Sequence, residues 1–338
     1  MRGKTVEGER PLLLITGGLG YVGSHAVRRL QEAGRDVVLL DNLVYGHREA
    51  APGVPCVIAD LMDREALRGV FRDYPIDGVM HFAAFAAVGE SVANPQKYFD
   101  NNVRAGLNLL DCMLEAGVKR LVFSSTCAIF GEPERLPLDE EHPKNPTNPY
   151  GESKLFFEKV LKWYDKAYGL KSVSLRYFNA AGAHPSGDIG EDHDPEHHLI
   201  PLAIGAAAGH RPGLTVFGDD YDTPDGTCIR DYIHVSDLAD AHLLAIERLE
   251  AGGSSEAYNL GNGNGYSVLE VIRTVESVTG LKVPWKMGPR RPGDPARLVG
   301  SSEKAIRELG WRPQLNTLET IVETAWRWHR DHPRGYNS

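Results

Sequence analysis

The sequence predicts an α/β protein built around a doubly wound parallel sheet, with a smaller, discontinuous α/β lobe. Two observations carry this prediction. A buried strand, a glycine-rich turn and a helix open the chain, and strand-like apolar runs then alternate with helical or loop segments. From 180 to 227 the composition turns rich in Gly, Pro, His and Asp, which is typical of binding loops. With 338 residues and 42% hydrophobic content, the chain can bury a large core.

The first unit is an apolar strand at 12–16, followed by Gly18, Gly20 and Gly23 and then a helix. This glycine spacing provides a tight turn, room for a pyrophosphate against the backbone, and close packing of helix on strand. The helix N-terminus also offers free N–H groups to phosphates. We therefore expect a Rossmann-type dinucleotide site.

A second apolar run, 36–40, ends in Asp41. An acidic residue at this position accepts hydrogen bonds from a ribose 2′-OH and repels a 2′-phosphate. The sequence therefore predicts NAD as the cofactor, not NADP.

Further elements follow in alternation. The predicted strands lie at 54–58, 78–82, 120–124, 172–177 and 257–261, and the predicted helices at 95–115, 150–168, 267–279 and 302–309. The helix at 95–115 places one apolar stripe against the sheet, formed by Phe99, Val103, Leu107, Leu110 and Leu114. We expect a disordered tail at 1–10, an NAD-binding domain at 11–180 plus about 228–262, and a second lobe at 181–227 plus 263–338.

Composition excludes several classes of protein. The formal charge of −9 argues against a nucleic-acid surface, and the apolar runs are shorter than the ~20 residues of a membrane span. The four cysteines include no C-x-x-C pair and indicate buried thiols without a disulfide framework; they are Cys56, Cys112, Cys127 and Cys228. The simplest location is the cytoplasm.

Tyr150 and Lys154 are the strongest catalytic signal. Four residues apart on a helix, they lie on one face, so the ammonium can sit beside the phenol oxygen. A phenol ionises near a pKa of about 10, and a neighbouring cation lowers that pKa. The pair can therefore act as a general base that removes a hydroxyl proton while a hydride leaves the same carbon.

From about residue 11 to 336 the chain resembles the UDP-glucose 4-epimerases, a family of extended short-chain dehydrogenases/reductases. The motifs that carry the resemblance lie at 16–25, 40–42, 81–84, 88–91, 100–102, 123–126, 149–154, 176–179, 182–187, 230–235 and 258–261. The early motifs are shared by many sugar-nucleotide enzymes, whereas the later ones are more specific to the epimerases.

The resemblance implies roles for individual residues. Tyr150 would be the acid/base, Lys154 its activator and a ribose contact, and Thr126 the hydroxyl that hydrogen-bonds the sugar O4. The implied cofactor contacts are Gly17, Gly20, Tyr21, Val22, Gly23, Asp41, Asn42, Asp60, Leu61, Phe82, Ala83, Ala84, Asn101, Ser124, Tyr150, Lys154 and Tyr177. The implied substrate contacts are Thr126, Tyr150, Asn179, His198, Leu199, Phe217, Arg230, Arg291 and Asp294.

The implied activity is the interconversion of UDP-glucose and UDP-galactose. C4 is oxidised to a ketone by bound NAD, the sugar rotates, and the ketone is reduced on its other face. The alternatives are a UDP-N-acetylglucosamine 4-epimerase or a dual-specificity epimerase and, more remotely, a 4,6-dehydratase or a non-enzymatic NAD sensor. Cys127 and Ala128 follow Thr126 where the dehydratases carry Asp-Glu. The resemblance also implies a homodimer, through helices near 95–115 and 150–168.

Three departures from the family pattern bear on the substrate. Ala86 replaces a Lys of some relatives, which removes a phosphate contact, and His198 replaces an Asn. Leu298 stands where side-chain size separates hexose-only enzymes from those that accept N-acetylhexosamines, and leucine is intermediate in size.

The run 192–198 is rich in His, Asp and Glu, which are common metal ligands. Its spacing matches no closed zinc pattern, and Pro195 disfavours one continuous helix. We therefore interpret this run as a polar substrate loop and predict no metal.

Overall fold

A computed structural model describes residues 12–291 and 294–337, so the predicted tail at 1–10 lies outside the described residues. In chain order the described strands are β1 Leu12–Thr16, β2 Val37–Asp41, β3 Cys56–Ile58, β4 Ile76–His81, β5 Arg120–Thr126, β6 Lys171–Tyr177, β7 Asn179–Ala181, β8 Leu214–Phe217, β9 Ile229–Arg230, β10 Tyr232–His234, β11 Glu256–Leu260, β12 Tyr266–Ser267, β13 Trp285–Gly288 and β14 Arg297–Leu298.

The α-helices are α1 Tyr21–Glu32, α2 Arg64–Asp73, α3 Val88–Ala93, α4 Pro95–Tyr98, α5 Ala105–Ala116, α6 Pro149–Tyr168, α7 Leu199–Ala207, α8 Val235–Glu250, α9 Val268–Thr279, α10 Glu303–Leu309 and α11 Leu318–Asp331. Short 3₁₀ turns cover Arg48–Ala50, Cys127–Ile129 and Gly335–Asn337, and a π-helical segment covers Phe99–Arg104. Among the described residues, none of the helices has the length and apolar character needed to cross a membrane.

The central sheet has seven strands in the order β11-β6-β5-β4-β1-β2-β3, and every neighbouring pair in it is parallel. This confirms the predicted doubly wound Rossmann-type fold. The strand order reverses between β1 and β4, so a crevice opens there at the carboxyl ends of the strands. The sheet therefore fixes where a dinucleotide can lie.

The predicted helix at 95–115 is interrupted, and this corrects its predicted packing. A π-helical segment lies between α4 and α5. Its i→i+5 hydrogen bonds rotate the residues before it relative to those after it. Leu110 is buried as the stripe predicted, but Phe99 is 43% exposed. An uninterrupted 3.6-residue period therefore fails to describe this stretch.

Two hydrophobic clusters cover the two faces of the central sheet. One includes Leu13, Met80 and α8 residues such as Leu238; the other includes Leu14, Phe123 and much of α5. A third cluster joins α7, α9 and α11. Ala305 and Trp311 belong to the first cluster, although the predicted division of the chain places them in the second lobe. That division stays a prediction.

Candidate active site

The glycine-rich turn after β1 is built for close backbone approach. Gly17 has φ +72°, and a Cβ there would lie 2.5 Å from the amide nitrogen of Ala83. A Cβ on Gly23 would lie 2.1 Å from the carbonyl oxygen of Gly17. Helix α1 then begins after Gly20 and carries no acidic residue in its first turn. Its free N–H groups and dipole are therefore available to a pyrophosphate.

A pocket opens beside this turn, at the carboxyl ends of the strands. Ten predicted cofactor residues line it: Gly17, Gly20, Asp41, Asn42, Asp60, Leu61, Phe82, Ala83, Ala84 and Asn101. Six lining residues were missed from the sequence: Leu40, Val44, Tyr45, Gly46, Ala59 and Phe85. Each lies within four residues of a predicted one, so extending every motif by four residues on either side would have found them.

Asp41 is held in place by the backbone. Its carboxylate accepts the amide N–H of Leu19 at 3.0 Å and of Leu43 at 2.9 Å. Burial raises the pKa of Asp41, and these two hydrogen bonds oppose the rise. Asn42 donates to Asp60 at 2.8 Å across the pocket rim. The donor and acceptor set, together with the glycine cradle, fits NAD.

The remaining predicted cofactor residues are not among those that line this pocket. The phenol of Tyr21 donates to the carbonyl of Gly182 at 2.6 Å. Val22 packs against the first core cluster. Ser124 and Tyr177 hydrogen-bond each other through their hydroxyls at the ends of β5 and β6.

Tyr150 lies in the first turn of α6. Asn148 caps this helix by accepting the amide N–H of Gly151 at 2.9 Å, and Pro149 occupies the first turn, where a missing N–H costs nothing. Burial raises the pKa of the Tyr150 phenol, Tyr177 adds to the rise, and the neighbouring Thr126 side chain opposes it. The structure therefore brings Tyr150 and Thr126 together, as predicted.

Lys154 is 4% exposed, and its ammonium donates to the carbonyl oxygen of Ser124 at 2.7 Å. It also lies 4.9 Å from the ring centre of Phe123. Burial lowers the pKa of Lys154 to about 7, against the attraction of Glu158. We expected this ammonium beside the Tyr150 oxygen and a lowered pKa of the phenol; the structure shows the ammonium donating to the carbonyl of Ser124 and burial raising the pKa of the phenol.

A buried polar network supports this corner and was missed from the sequence. Ser125 donates to Glu158 at 2.6 Å, and Arg176 forms a bidentate pair with the same carboxylate at 2.9 and 2.6 Å. Arg176 and Glu158 are only 4% and 5% exposed. Glu158 follows Lys154 by four residues, as Lys154 follows Tyr150, so the helical spacing was a signal that could have found it.

Most of the predicted nucleotide ligands contact one another around β8, β9 and the chain before β14. Arg230 donates to Asp294 at 2.9 Å and to the carbonyl of Pro295 at 2.8 Å. The guanidinium of Arg291 lies 4.1 Å from the ring centre of Phe217. These contacts join β8, β9 and the chain before β14. Asn179, at the start of β7, donates to the carbonyl of Asp231 at 2.8 Å.

His198 and Leu199 lie at the start of α7. His198 belongs to a cluster with Glu191, His193 and Glu196, whose candidate ligand atoms all lie within 4.8 Å of one another. Burial alone would raise the pKa of the Glu191 carboxyl, but His198 and His193 outweigh it and lower that pKa. Glu191 was missed from the sequence, although it immediately precedes the run 192–198.

The parallel sheet, the glycine cradle and the buried Tyr-Thr-Lys group define an NAD-binding enzyme of the short-chain dehydrogenase/reductase type. The profile of the NAD dependent epimerase/dehydratase family matches residues 13–261. The chain belongs to that family.

Individual relatives agree. A UDP-glucose 4-epimerase of Lacticaseibacillus casei is 53% identical over 96% of this chain and 98% of its own length. The crystal structure of the Brucella ovis UDP-glucose 4-epimerase with NAD is 47% identical, with a TM-score of 0.92 over 94% of this chain and 97% of that one. That of the Bifidobacterium longum enzyme with NAD+ and UDP is 41% identical, with a TM-score of 0.92 over 96% and 100%.

Proposed function

We propose that the protein interconverts UDP-glucose and UDP-galactose by inverting C4 of the hexose, with NAD as cofactor. The contact between Tyr150 and Thr126 is the observation that supports this function most strongly. The buried Lys154 lies in the same site, and the dinucleotide pocket opens at the carboxyl ends of the same sheet. The family and the relatives of about 50% identity support the same reaction.

Binding of the substrate involves residues from both predicted domains. The Arg230 guanidinium uses three of its five N–H donors on Ile229, Pro295 and Asp294, which leaves two for a diphosphate. Phe217, beneath Arg291, offers a flat face for the uracil ring. Asn179, His198, Leu199 and Asp294 complete the proposed nucleotide contacts. Inversion requires tight binding of UDP and loose binding of the hexose, because the sugar must rotate while the UDP stays bound.

The proton steps belong to Tyr150 and Thr126. The Thr126 hydroxyl oxygen accepts the amide N–H of Ala128 at 3.2 Å, so its own O–H is left to donate. That geometry suits a bridge between the sugar O4 and the phenol of Tyr150. Tyr150 removes the O4 proton as C4 loses a hydride, and later returns a proton to O4 on the opposite face.

NAD, when bound, supplies the hydride acceptor for C4 and afterwards the donor. Lys154 places its ammonium in the catalytic site and donates to the carbonyl of Ser124. This contact fixes the end of β5 next to Thr126. The 4-keto sugar stays attached to its UDP anchor and rotates about the diphosphate linkage. The reaction has no net redox change, so the cofactor is restored in each cycle.

Elimination of water is the weaker alternative. A 4,6-dehydratase needs a carboxylic acid and a base next to the catalytic threonine, whereas here Thr126 is followed by Cys127 and Ala128. Burial raises the pKa of the Cys127 thiol to about 12. A thiol that stays protonated at neutral pH is a poor base, so we favour epimerisation.

The decisive experiment incubates purified protein with UDP-galactose and, separately, with UDP-N-acetylgalactosamine, and follows each C4 epimer by NMR without added cofactor. Conversion of UDP-galactose supports the proposed reaction and a retained NAD. Conversion of both would show that the partly buried Leu298 leaves room for an acetamide. No conversion, even after NAD is added, would contradict the proposal.

We also propose a homodimer formed through the helical stretch 95–115 and α6. Exposed apolar side chains on these two stretches support it, with Phe99 43%, Phe156 49% and Trp163 66% exposed. A second copy of the chain can cover them, since large exposed apolar patches mark interaction sites. Trp163→Glu should yield a monomer by sedimentation, whereas sedimentation of the unaltered protein as a monomer would rule the dimer out.

A cytoplasmic location fits the cysteines. All four are free thiols, three of them buried and Cys56 partly so. Free thiols without disulfides are typical of a reducing compartment. Fractionation of the cells that make this protein tests the location.

A further inference from the structure

The loop before α7 carries a compact group of metal-ligating side chains that the epimerisation does not use. We propose that Glu191, His193, Glu196 and His198, here called the His-Glu cluster, bind one Zn²⁺ ion that serves a structural role. This reverses the interpretation of the run 192–198 as a metal-free substrate loop. Glu191 is the ligand that the sequence spacing did not include.

The geometry of the His-Glu cluster fits a tetrahedral ion. Zinc binds imidazole nitrogen and carboxylate oxygen at about 2.0–2.1 Å, which separates tetrahedral ligand atoms by about 3.3 Å. The Nδ1 atom of His193 lies 3.1 Å from Glu191 Oε1, and that of His198 lies 3.3 Å from Glu196 Oε1. The 2.5 Å separation of His198 Nδ1 from Glu191 Oε1 must widen by about 0.8 Å to admit the ion. That is a small rotation of one side chain.

The Glu196 carboxylate and the backbone of Glu191 are already held in place. Glu196 Oε1 accepts the amide N–H groups of His197 and His198 at 2.6 and 2.7 Å. The backbone carbonyl of Glu191 accepts the indole N–H of Trp328 at 3.0 Å, which anchors this end of the loop on α11. A preformed site loses little conformational entropy when it takes up an ion.

The charge of the His-Glu cluster also calls for a cation. The Glu191 side chain is 4% exposed and that of Glu196 is 18% exposed. Buried carboxylates are costly unless they are paired or bound to a metal. In the absence of an ion, His193 and His198 are the partners of the Glu191 carboxylate; a divalent ion held by neutral imidazoles would replace them in that role and cancel the two negative charges. Imidazole and carboxylate donors without a thiolate suit zinc among the available divalent metals.

The place of the ion in the fold indicates what it does. All four ligands lie in the eight residues that lead into α7, so the ion closes a local loop and fixes the start of that helix. The ring centre of His193 lies 6.1 Å from that of Tyr21, next to the glycine turn. On the proposed function, this positions Leu199 for the nucleotide and leaves His198 Nε2 free to contact it. The ion takes no part in the transfer of hydride or proton.

The test uses the full chain without a histidine tag, stripped by a chelator and dialysed, then equilibrated with Zn²⁺ and passed over a desalting column. We expect one zinc per chain by elemental mass spectrometry. His193→Ala and Glu196→Gln should each raise the dissociation constant for Zn²⁺ by at least ~10-fold. Gln keeps an oxygen that can accept the amide N–H groups of His197 and His198, so the second variant preserves the loop.

The neighbouring exposed residues of the same run supply matched controls, His197→Ala and Asp194→Asn, which should bind zinc as the unaltered protein does. Zinc should also raise the melting temperature of the unaltered protein and not that of Glu196→Gln. Substoichiometric zinc in the unaltered protein, or equal losses in His197→Ala and His193→Ala, would overturn the proposal. Zinc content is read without any turnover, so an absence of epimerase activity leaves this result intact.

Discussion

The catalytic corner, formed by Thr126, Tyr150 and Lys154, and the nucleotide end, formed by Phe217, Arg230, Arg291 and Asp294, are built in different ways. The corner is carried by the seven-residue strand β5 and the twenty-residue helix α6. The nucleotide end is carried by strands of four, two and two residues and the chain between them. Long elements fix atoms that must meet within tenths of an ångström, whereas short ones suit a surface that holds its ligand by charge and stacking.

The electrostatics of the two regions differ in the same sense. In the catalytic corner, the Glu158–Arg176 pair is buried and the Lys154 ammonium donates to the carbonyl of Ser124. At the nucleotide end, the side chains of Arg230 and Asp294 are 15% and 31% exposed, and Arg230 keeps free donors. Changes in the corner should therefore act on turnover, and changes at the nucleotide end on KM.

The largest expected effect is that of Tyr150→Phe. Loss of the general acid/base should lower kcat by at least ~10²-fold, while UDP binding measured by calorimetry stays near that of the unaltered protein. Tyr168→Phe is the matched control, because Tyr168 ends the same helix and is 51% exposed. Near-normal turnover of Tyr150→Phe would remove this phenol from its proposed role.

Lys154→Met should lower both kcat and the amount of NAD that copurifies, because one ammonium holds the end of β5 and the proposed ribose contact. We expect a loss in kcat of about 10-fold or more, in the range of a lost charge-assisted hydrogen bond. Lys166→Met, at the exposed end of the same helix, should change neither quantity. Normal NAD content measured by absorbance after denaturation would contradict the ribose contact.

Arg230→Ala tests the other region. Loss of charge-assisted hydrogen bonds to the diphosphate costs about 1.5–3 kcal/mol, so KM should rise by roughly 10- to 100-fold with a much smaller change in kcat. Arg290→Ala is the control, because Arg290 pairs with Asp220 on the exposed surface. A fall in kcat with unchanged KM would break the distinction between the two regions.

Glu158→Gln is the subtlest change, and it acts through pH. Burial lowers the pKa of Lys154 to about 7, and the Glu158 carboxylate keeps that pKa above the value that burial alone would give. Without that charge the pKa falls, and the ammonium is lost at a lower pH. The alkaline limb of the kcat profile should therefore move to lower pH, while Ser125→Ala, which removes only a neutral contact to Glu158, should leave it in place. An unmoved alkaline limb in Glu158→Gln would show that Lys154 does not set it.

The fold was predictable because its signals are local. The strand, glycine turn and helix at 12–32 and the acid at Asp41 each rest on short-range chemistry, and the parallel sheet follows from their alternation. The packing of 95–115 was not predictable in the same way. A π-helical segment inserts an extra residue per turn, and the period of apolar residues does not reveal it.

The site also contains residues that local motifs predicted and contacts that depend on distant parts of the chain. Tyr150, Thr126 and the cofactor loop lie where their motifs place them, since each motif sits at the carboxyl end of a strand or the start of a helix. The direction of the Lys154 ammonium depends on the carbonyl of Ser124, thirty residues earlier in the chain. The Ser125–Glu158–Arg176 network joins three elements, and no single motif contains it.

The central claim is that one hydride leaves C4 and returns to C4 of the same sugar. The most direct test epimerises UDP-galactose carrying deuterium at C4 in ordinary water and measures the label in the UDP-glucose formed, by NMR and mass spectrometry. The account predicts that the deuterium remains on C4. Its replacement by hydrogen from solvent would contradict the mechanism, because inversion would then proceed by removal and return of a carbon-bound proton.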